Sequence, residues 1–171
     1  MRLSFNANVK KDKVFQTIEK FLSDKNFIIT GKDMDRPWGG FFIIDEKQSK
    51  AFVREFFPEL GKKELNTGKK LSPKFLIVEP GKKLSWQYHF RRAEIWKVVS
   101  EVVGIVTSET DKETDVKKYV HASLINLKKG ERHRLIGLEG WGIVAEIWQH
   151  TDDDNPSDEE DIIRLQDDYG R

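Results

Sequence analysis

The sequence predicts an all-β fold, an antiparallel sandwich or barrel, with an amphipathic helix near its N-terminus. Its 171 residues fit one domain, since single domains span roughly 100–200 residues. The apolar residues are concentrated in short runs that are rich in β-branched and aromatic types. Clusters of Gly, Pro, Asn and Asp separate these runs, as turns separate short strands.

The first element is the helix, predicted over residues 10–26. Asp12 is its expected N-cap, because a carboxylate there can accept hydrogen bonds from the first free backbone N–H groups. Its apolar residues recur at helical spacing on one stripe, so we expect the helix to cover one end of a sheet. This stripe consists of Val14, Phe15, Ile18, Phe21 and Leu22.

Five short apolar runs follow and predict strands. Several are apolar on both faces, which is typical of strands buried between a second sheet and a cover. The runs are residues 27–29, 39–44, 75–78, 95–99 and 142–148. The turn signals are Arg36-Pro37-Trp38-Gly39, Asn66-Thr67-Gly68, Pro80-Gly81 and Lys129-Gly130.

Three polar segments predict loops. Residues 55–72 are rich in lysine and contain two glycines, which favours a surface loop or an edge. Residues 108–118 predict a hairpin loop. Residues 152–161 are strongly acidic, and we interpret them as a solvated loop without a chemical role.

Composition excludes several classes of protein. With no cysteine, the chain can form neither disulfides nor thiolate metal sites. No apolar run approaches the ~20 residues that cross a bilayer, and the N-terminus lacks a secretory apolar segment. We therefore expect a cytoplasmic protein without a membrane partner.

Charge is divided unevenly along the chain. Residues 1–100 carry 21 Lys and Arg against 12 Asp and Glu, whereas residues 101–171 carry 9 against 17. The basic half suits an anionic ligand. Its lysines are spread without an aromatic-interleaved stripe, so we expect no nucleic-acid partner.

The segment 84–96 contains the residue types of a metal site. On a strand over 84–90, Leu84 faces away from Gln87 and His89, which project from one face roughly 7 Å apart. Glu94 follows a short charged turn, and His133 follows the glycine turn at Gly130. Two nitrogens and two oxygens suit one divalent ion, with zinc expected and manganese, iron or nickel as alternatives.

These residues carry a resemblance to a known family. The residues Pro80-Gly81, Leu84-Ser85, Gln87, His89, Arg92-Ala93-Glu94 and Trp96 resemble the first cupin motif, and more narrowly the cupin domain of type II mannose-6-phosphate isomerases. Those proteins often stand alone or are fused to a mannose-1-phosphate guanylyltransferase. The resemblance spans about residues 34–171. Further matches are Arg36-Pro37-Trp38-Gly39, Gly130 to Leu135, and the closing segment 161–171.

The resemblance implies a single cupin domain over 1–171, a double-stranded β-helix (jelly-roll) barrel with one divalent metal. The barrel and tail take residues 34–171. The implied activity is metal-dependent aldose–ketose isomerisation of a sugar phosphate, most specifically of mannose 6-phosphate and fructose 6-phosphate. The implied metal ligands are Gln87, His89, Glu94 and His133.

Arg92 and Arg134 are the expected catalytic residues. Arg92 comes two residues before Glu94, so strand alternation turns it toward the same pocket, and Arg134 matches an arginine of the family beside the last metal histidine. Arg36 and Trp38 are the expected substrate lip, because tryptophan stacks on sugars; the alternative is a turn whose Trp38 packs in the barrel end. Strand alternation turns Arg134 away from the face of His133, so Arg134 can serve only if that segment is a loop. Cupins often pair through sheet edges, which allows a homodimer. The tail residues Arg164, Asp168, Tyr169 and Arg171 are expected to clamp the tail on the barrel mouth.

Two alternatives remain open at this point. Phe90 and Arg91 stand where close homologues carry extra histidines, so the substrate could be a heptose phosphate or a free pentose. A sugar-binding cupin without catalytic activity is the other alternative, and it is favoured if the pocket holds a metal but no base.

Overall fold

A computed structural model describes residues 2–61, 65 and 69–170. The turn predicted at Asn66-Thr67-Gly68 and the predicted clamp residue Arg171 lie outside these residues. None of the helices within the described ranges is long and apolar enough to span a membrane.

The N-terminal helix α1 (Lys11–Asp24) confirms the predicted element. All five residues of the predicted apolar stripe are buried. The predicted N-cap is wrong: Lys10 occupies the cap position, and Asp12 lies inside the first turn. There its carboxylate still opposes the positive end of the helix dipole.

Eleven strands, a second short α-helix and two 3-10 turns, Glu46–Gln48 and Glu159–Asp161, complete the described part of the chain. The helix α2 is Ser49–Phe56. The strands are β1 (Ile29–Arg36), β2 (Gly39–Ile44), β3 (Leu71–Val78), β4 (Trp86–His89), β5 (Arg92–Val98), β6 (Val102–Ser108), β7 (Lys117–Val120), β8 (Leu124–Leu127), β9 (Arg132–Ile136), β10 (Gly142–His150) and β11 (Ile162–Gln166).

The strands form two antiparallel sheets. The larger has the order β1-β2-β3-β10-β5-β8, and the smaller has the order β11-β4-β9-β6-β7. The eight strands β3 to β10 are divided equally between the two sheets and cross from one to the other at every connection except that between β6 and β7, as in a jelly roll of two Greek keys. This is the cupin double-stranded β-helix, which confirms the predicted fold class together with its N-terminal helix.

The central strands β3 and β10 of the large sheet are buried on both faces, as the apolar runs predicted. Along β3, Phe75 and Ile77 pack into an outer core beneath α1 and α2. The alternate residues Leu76 and Val78 pack into an inner core between the two sheets. This inner core leads to the candidate site.

The prediction for residues 55–72 is wrong in part. Phe56 and Phe57 are buried in the outer core, and the central strand β3 already begins at Leu71. The end of the short amphipathic helix α2 enters this lysine-rich segment at Phe56 and was not recognised. The hairpin loop predicted over 108–118 is confirmed, because β6 ends at Ser108 and β7 begins at Lys117.

Candidate metal centre and its cavity

A cavity with about 500 Å³ of empty space, including its open mouth, lies against the inner core. Its wall combines side chains from the large sheet with others from β4, β11 and the segment before β11. Several are charged or polar, as expected of a pocket that binds a polar ligand. The polar and charged lining residues are Arg36, Lys74, Ser85, Gln87, Arg92, Glu94, Glu146, Glu159 and Arg164.

Three of the predicted metal ligands converge beside this cavity. The Nε2 atoms of His89 and His133 lie 3.3 Å apart. His89 Nε2 is 3.1 Å from one carboxylate oxygen of Glu94, and His133 Nε2 is 3.4 Å from the other. Glu94 lines the cavity, whereas the two buried imidazoles lie against Glu94 and do not line it.

The opposite nitrogens of both rings face backbone carbonyls. His133 Nδ1 is 2.9 Å from the carbonyl oxygen of Glu131, and His89 Nδ1 is 3.3 Å from that of Asp161. A carbonyl oxygen only accepts, so in the neutral form of each ring Nδ1 carries the proton and Nε2 presents its lone pair. Two lone pairs and a carboxylate that point at one another form a ligand set for a cation. The donor set therefore fits a divalent metal.

The electrostatics of the cluster keep these donors in the state that a metal requires. Burial lowers the pKa of His133 to about 4, so the ring is neutral at neutral pH. Burial alone would raise the pKa of Glu94. The neighbouring His89 and Arg92 side chains outweigh burial and hold the pKa of Glu94 well below its usual range.

Gln87 lies beside the cluster, because its backbone pairs with that of His133 across β4 and β9. Its Oε1 accepts a hydrogen bond of 2.6 Å from the Ser85 hydroxyl. The predicted alternation fails at Leu84, which lines the cavity together with Ser85 and Gln87. The regular strand begins only at Trp86, so residues 84 and 85 do not obey a period of two.

Arg92 faces the cavity, as alternation with Glu94 on β5 predicted. Its Nε donates to Glu94 Oε1 at 2.7 Å, and its Nη2 lies 3.1 Å from His89 Nε2. Its Nη1 donates to the Ser157 hydroxyl at 2.8 Å. The guanidinium carbon lies 3.5 Å from the centroid of the Trp148 ring. This buried cation thus holds both Glu94 and His89 in place.

Arg134 lies elsewhere, which corrects its predicted catalytic role. The residue is within β9 and alternates with His133, so its side chain leaves the metal face. Its guanidinium donates to the Leu84 carbonyl and pairs with Glu113 and Asp168. Arg134 is buried but does not line the cavity, and its contacts are structural.

The predicted lip residues Arg36 and Trp38 both line the cavity. Trp38 is buried and belongs to the inner core, whereas Arg36 pairs with Asp33 at 2.8 Å. On β11, Arg164 also lines the cavity, and no hydrogen bond or ion pair joins its side chain to another described residue. The tail clamp instead rests on Asp168 and Tyr169.

Those two residues contact the segment before β4. The Tyr169 hydroxyl donates to the Lys83 carbonyl at 3.1 Å, and Asp168 pairs with Lys83 and Arg134. The tail is therefore clamped at its end, while Arg164 remains available to a ligand.

The interpretation of residues 152–161 as a solvated loop holds for most of the segment but is wrong for Ser157 and Asp161, which are buried. This segment, the acidic strap, runs past the group formed by His89, Glu94 and His133, which we call the metal cluster for the ion it could hold. Asp161 is buried and accepts hydrogen bonds from the backbone N–H groups of Phe90 and Arg91, and its own carbonyl faces His89. Ser157 is also buried and binds Asp161 Oδ2 at 2.6 Å. The strap thus orients one predicted metal ligand.

Sequence reasoning missed three cavity residues, Lys74, Glu146 and Trp148. Each lies in a strand that is otherwise almost wholly buried. For Lys74 and Glu146, a single charged residue inside an apolar run could have indicated a site. An isolated buried charge is costly unless it has a partner or a function. Burial and the nearby charge of Glu94 raise the pKa of Glu146 to about 8, although Lys74 acts in the opposite direction.

Comparison with known proteins adds a sequence relationship to this geometry. A family described as mannose-6-phosphate isomerase C-terminal matches residues 45–167. A mannose-1-phosphate guanylyltransferase from Salmonella montevideo is 27% identical over 167 residues, which cover 97% of this chain and 29% of that protein. The chain therefore spans less than a third of the length of this relative.

Solved structures share the fold. An oxalate decarboxylase from Bacillus subtilis superposes with a TM-score of 0.56 and 12% identity, over 80% of this chain and 30% of that one. Vicilin from Solanum lycopersicum gives a TM-score of 0.53 and 16% identity, over 78% and 35% of the two chains. At such low identity these likenesses show the fold alone.

Proposed function

The chain belongs to the mannose-6-phosphate isomerase C-terminal family, and on that premise we propose that it is a metal-dependent isomerase of mannose 6-phosphate and fructose 6-phosphate. The observation that carries the proposal is the cluster of His89, Glu94 and His133. Their acceptor atoms converge beside a polar cavity. His89, Glu94 and His133, with Gln87 beside them, would hold the ion, and we expect zinc, with manganese, iron or nickel as alternatives.

The reaction moves one proton between two adjacent carbons of an open-chain sugar phosphate. When bound, a divalent ion supplies Lewis acidity, which favours negative charge on the carbonyl and hydroxyl oxygens of the sugar. Arg92 lines the cavity and adds a fixed positive charge at the same place. Its contacts with Glu94 and His89 hold the guanidinium at a fixed position next to these two ligands.

Two cations at the cavity wall suit the phosphate group. Arg164 has a guanidinium without a partner among the described residues, and Arg36 lines the same cavity. A guanidinium binds phosphate through paired, charge-assisted hydrogen bonds. Trp38 offers an aromatic face for the sugar. These residues favour a phosphorylated sugar over a free one.

The test is an isomerase assay on the protein stripped with a chelator and reloaded with one ion at a time. We expect fructose 6-phosphate to form from mannose 6-phosphate only after reloading. Free mannose should react far more slowly. Arg164→Gln should raise KM about tenfold with little change in kcat, because it removes a charged hydrogen bond to the phosphate.

Two results would contradict the proposal. No turnover of mannose 6-phosphate with any of the four ions would overturn it. If the protein turns over a heptose phosphate or a free pentose but not mannose 6-phosphate, the proposed substrate is wrong and the site acts on that other sugar. Lys129→Gln on the exposed turn before β9 serves as the control, and its KM should equal that of the unmodified protein.

A further inference from the structure

A buried carboxyl group lies in the cavity close to the metal cluster but outside it. Glu146 is on β10, its side chain is 3% exposed, and it lines the cavity. Its backbone pairs with Lys74 on β3 and with Trp96 on β5. The three side chains therefore form one row across the large sheet, on the face toward the inner core.

The indole of Trp96 links this carboxyl group to the metal cluster. Its Nε1 lies 2.8 Å from Glu146 Oε1 and 3.1 Å from Glu94 Oε2, so one N–H serves two carboxylates. No described donor reaches the second oxygen of Glu146. The carboxyl group thus has one fixed oxygen and one oxygen that is available to a ligand.

The other carboxylates of the cavity wall are already engaged. Glu94 contacts both imidazoles and Arg92. Glu159 pairs with Lys74 at 2.7 Å, and the same Lys74 ammonium lies 3.6 Å from the centroid of the Trp148 ring. Among the described residues that line the cavity, Glu146 is the carboxyl group without a strong ionic partner.

The same wall carries a second group that lacks a partner. Trp148 lines the cavity beside Glu146, and its buried Nε1 has no hydrogen-bond partner among the described residues. A buried donor left unpaired is costly, and such groups are rare in folded proteins. The unpaired indole N–H therefore belongs to a residue of the same cavity wall as Glu146.

We propose that Glu146 is the catalytic carboxyl group that carries the proton between C2 and C1 of the sugar phosphate. The role rests on the proposed function. The Glu146 carboxylate takes the proton from C2, the C–H electron pair forms the C1–C2 double bond, and the carbonyl π pair moves to O1. The carboxyl group then returns its proton to C1, while the O2 proton passes to O1 and the C2 carbonyl forms. The product is the ketose, and Glu146 ends in its starting state.

The environment of Glu146 supports this role, because a group that both takes and gives a proton works best with a pKa near the working pH. Burial and the charge of Glu94 raise the pKa of Glu146 toward that range. The hydrogen bond from Trp96 fixes the carboxyl group without neutralising it.

The test compares Glu146→Gln and Glu146→Asp with the unmodified protein. Glutamine keeps an oxygen for the Trp96 N–H but cannot exchange a proton. We expect Glu146→Gln to lower kcat by about 10²- to 10⁴-fold with KM within about threefold. Loss of deuterium from C2-deuterated mannose 6-phosphate should fall by the same factor. Glu146→Asp should retain part of the activity, because it keeps the carboxyl group at a shorter reach.

Metal content and thermal unfolding separate this role from a structural one. Glu146→Gln should bind the same amount of zinc and melt no lower than the unmodified protein, as should the control Glu101→Gln at an exposed turn. Deuterium loss at the unmodified rate, or loss of zinc from Glu146→Gln, would overturn the role of Glu146. If the unmodified, zinc-loaded protein does not turn over mannose 6-phosphate, the proposed function fails and this role fails with it.

Discussion

At the scale of single residues, the metal cluster depends on which ring nitrogen carries the proton. The carbonyls of Glu131 and Asp161 hold the protons of His133 and His89 on Nδ1, away from the ligand face. Backbone contacts of this kind fix the tautomer and the orientation of ligand histidines in metal sites. The cluster is therefore arranged for a cation by backbone carbonyls of residues that are not themselves among the implied ligands.

This burial has a measurable effect on stability in the metal-free protein. The pKa of His133 is about 4 in the folded state, below the value of about 6.5 expected for an unfolded chain. Between these pH values the unfolded state binds a proton that the folded state does not. The free energy of unfolding should therefore fall by up to about 3 kcal/mol from pH 6.5 to pH 4 through this residue.

Urea unfolding of the metal-free protein at several pH values measures this effect. His133→Gln removes the titrating ring, so its unfolding free energy should decline less over the same pH range. The difference between the two curves isolates His133 from the carboxylates that also titrate there. Parallel curves would contradict the assignment.

The sequence predicts single residues well where the backbone is regular. Period-two alternation correctly brings Arg92 and Glu94 to the cavity. The same rule fails at Leu84, where the strand has not yet begun. Period-two alternation also does not reveal that Glu146 and Lys74 lie side by side in the cavity wall. That placement depends on the pairing of strands that are far apart in sequence.

At the scale of elements, the acidic strap, which the sequence predicted to be a solvated loop, supports the site through Asp161. Asp161 accepts two backbone N–H groups and one hydroxyl, and its carbonyl orients His89. We expect Asp161→Ala to lower the free energy of unfolding by about 1–3 kcal/mol, because it leaves buried donors unpaired. Zinc affinity should fall about tenfold, as for other supporting contacts of metal ligands.

Calorimetric titration of zinc and urea unfolding measure both effects. Asp153→Ala, at an exposed position of the same strap, is the matched control and should change stability by less than about 0.5 kcal/mol. If Asp161→Ala binds zinc as tightly as this control, the strap does not support the site.

The helix α1 contributes stability rather than chemistry. Phe15 is fully buried, and its ring centroid lies 5.5 Å from that of Phe42 on β2. Phe15→Ala should cost about 3–5 kcal/mol of unfolding free energy, since it leaves a cavity in the outer core. Lys13→Ala on the exposed face should cost less than about 0.5 kcal/mol. Zinc content should be unchanged in both; its loss in Phe15→Ala would show that the helix supports the site.

Element prediction succeeded where the period was strong and unbroken. The apolar stripe of α1 predicted its buried face, because each residue lies on one side at helical spacing. The helix α2 escaped notice, since its eight residues give too few turns for a clear stripe and adjoin a lysine-rich segment. The family resemblance implied the barrel, but the order of strands in each sheet was not predicted, because strand pairing depends on segments that are distant in sequence.

At the scale of the whole molecule, the uneven division of charge stabilises the structure, in addition to its predicted role of attracting an anionic ligand. Arg91 pairs with Asp158, Lys74 with Glu159, and Lys83 with Asp168. Some basic residues of the first half therefore bind the acidic C-terminal part of the chain to the barrel. Arg164, from the acidic half, is a cavity cation whose side chain has no ion-pair partner within residues 2–61, 65 and 69–170. A homodimer and a cytoplasmic location stay predictions.

The central claim is that His89, Glu94 and His133 form a metal centre, and the metal content of the purified protein tests it most directly. After chelation and reloading, elemental analysis should find one zinc ion per chain. His133→Ala should lose that ion, whereas the control His121→Ala, whose ring faces the Val99 carbonyl, should keep it. No stoichiometric zinc in the unmodified protein, or equal zinc in both variants, would contradict the account.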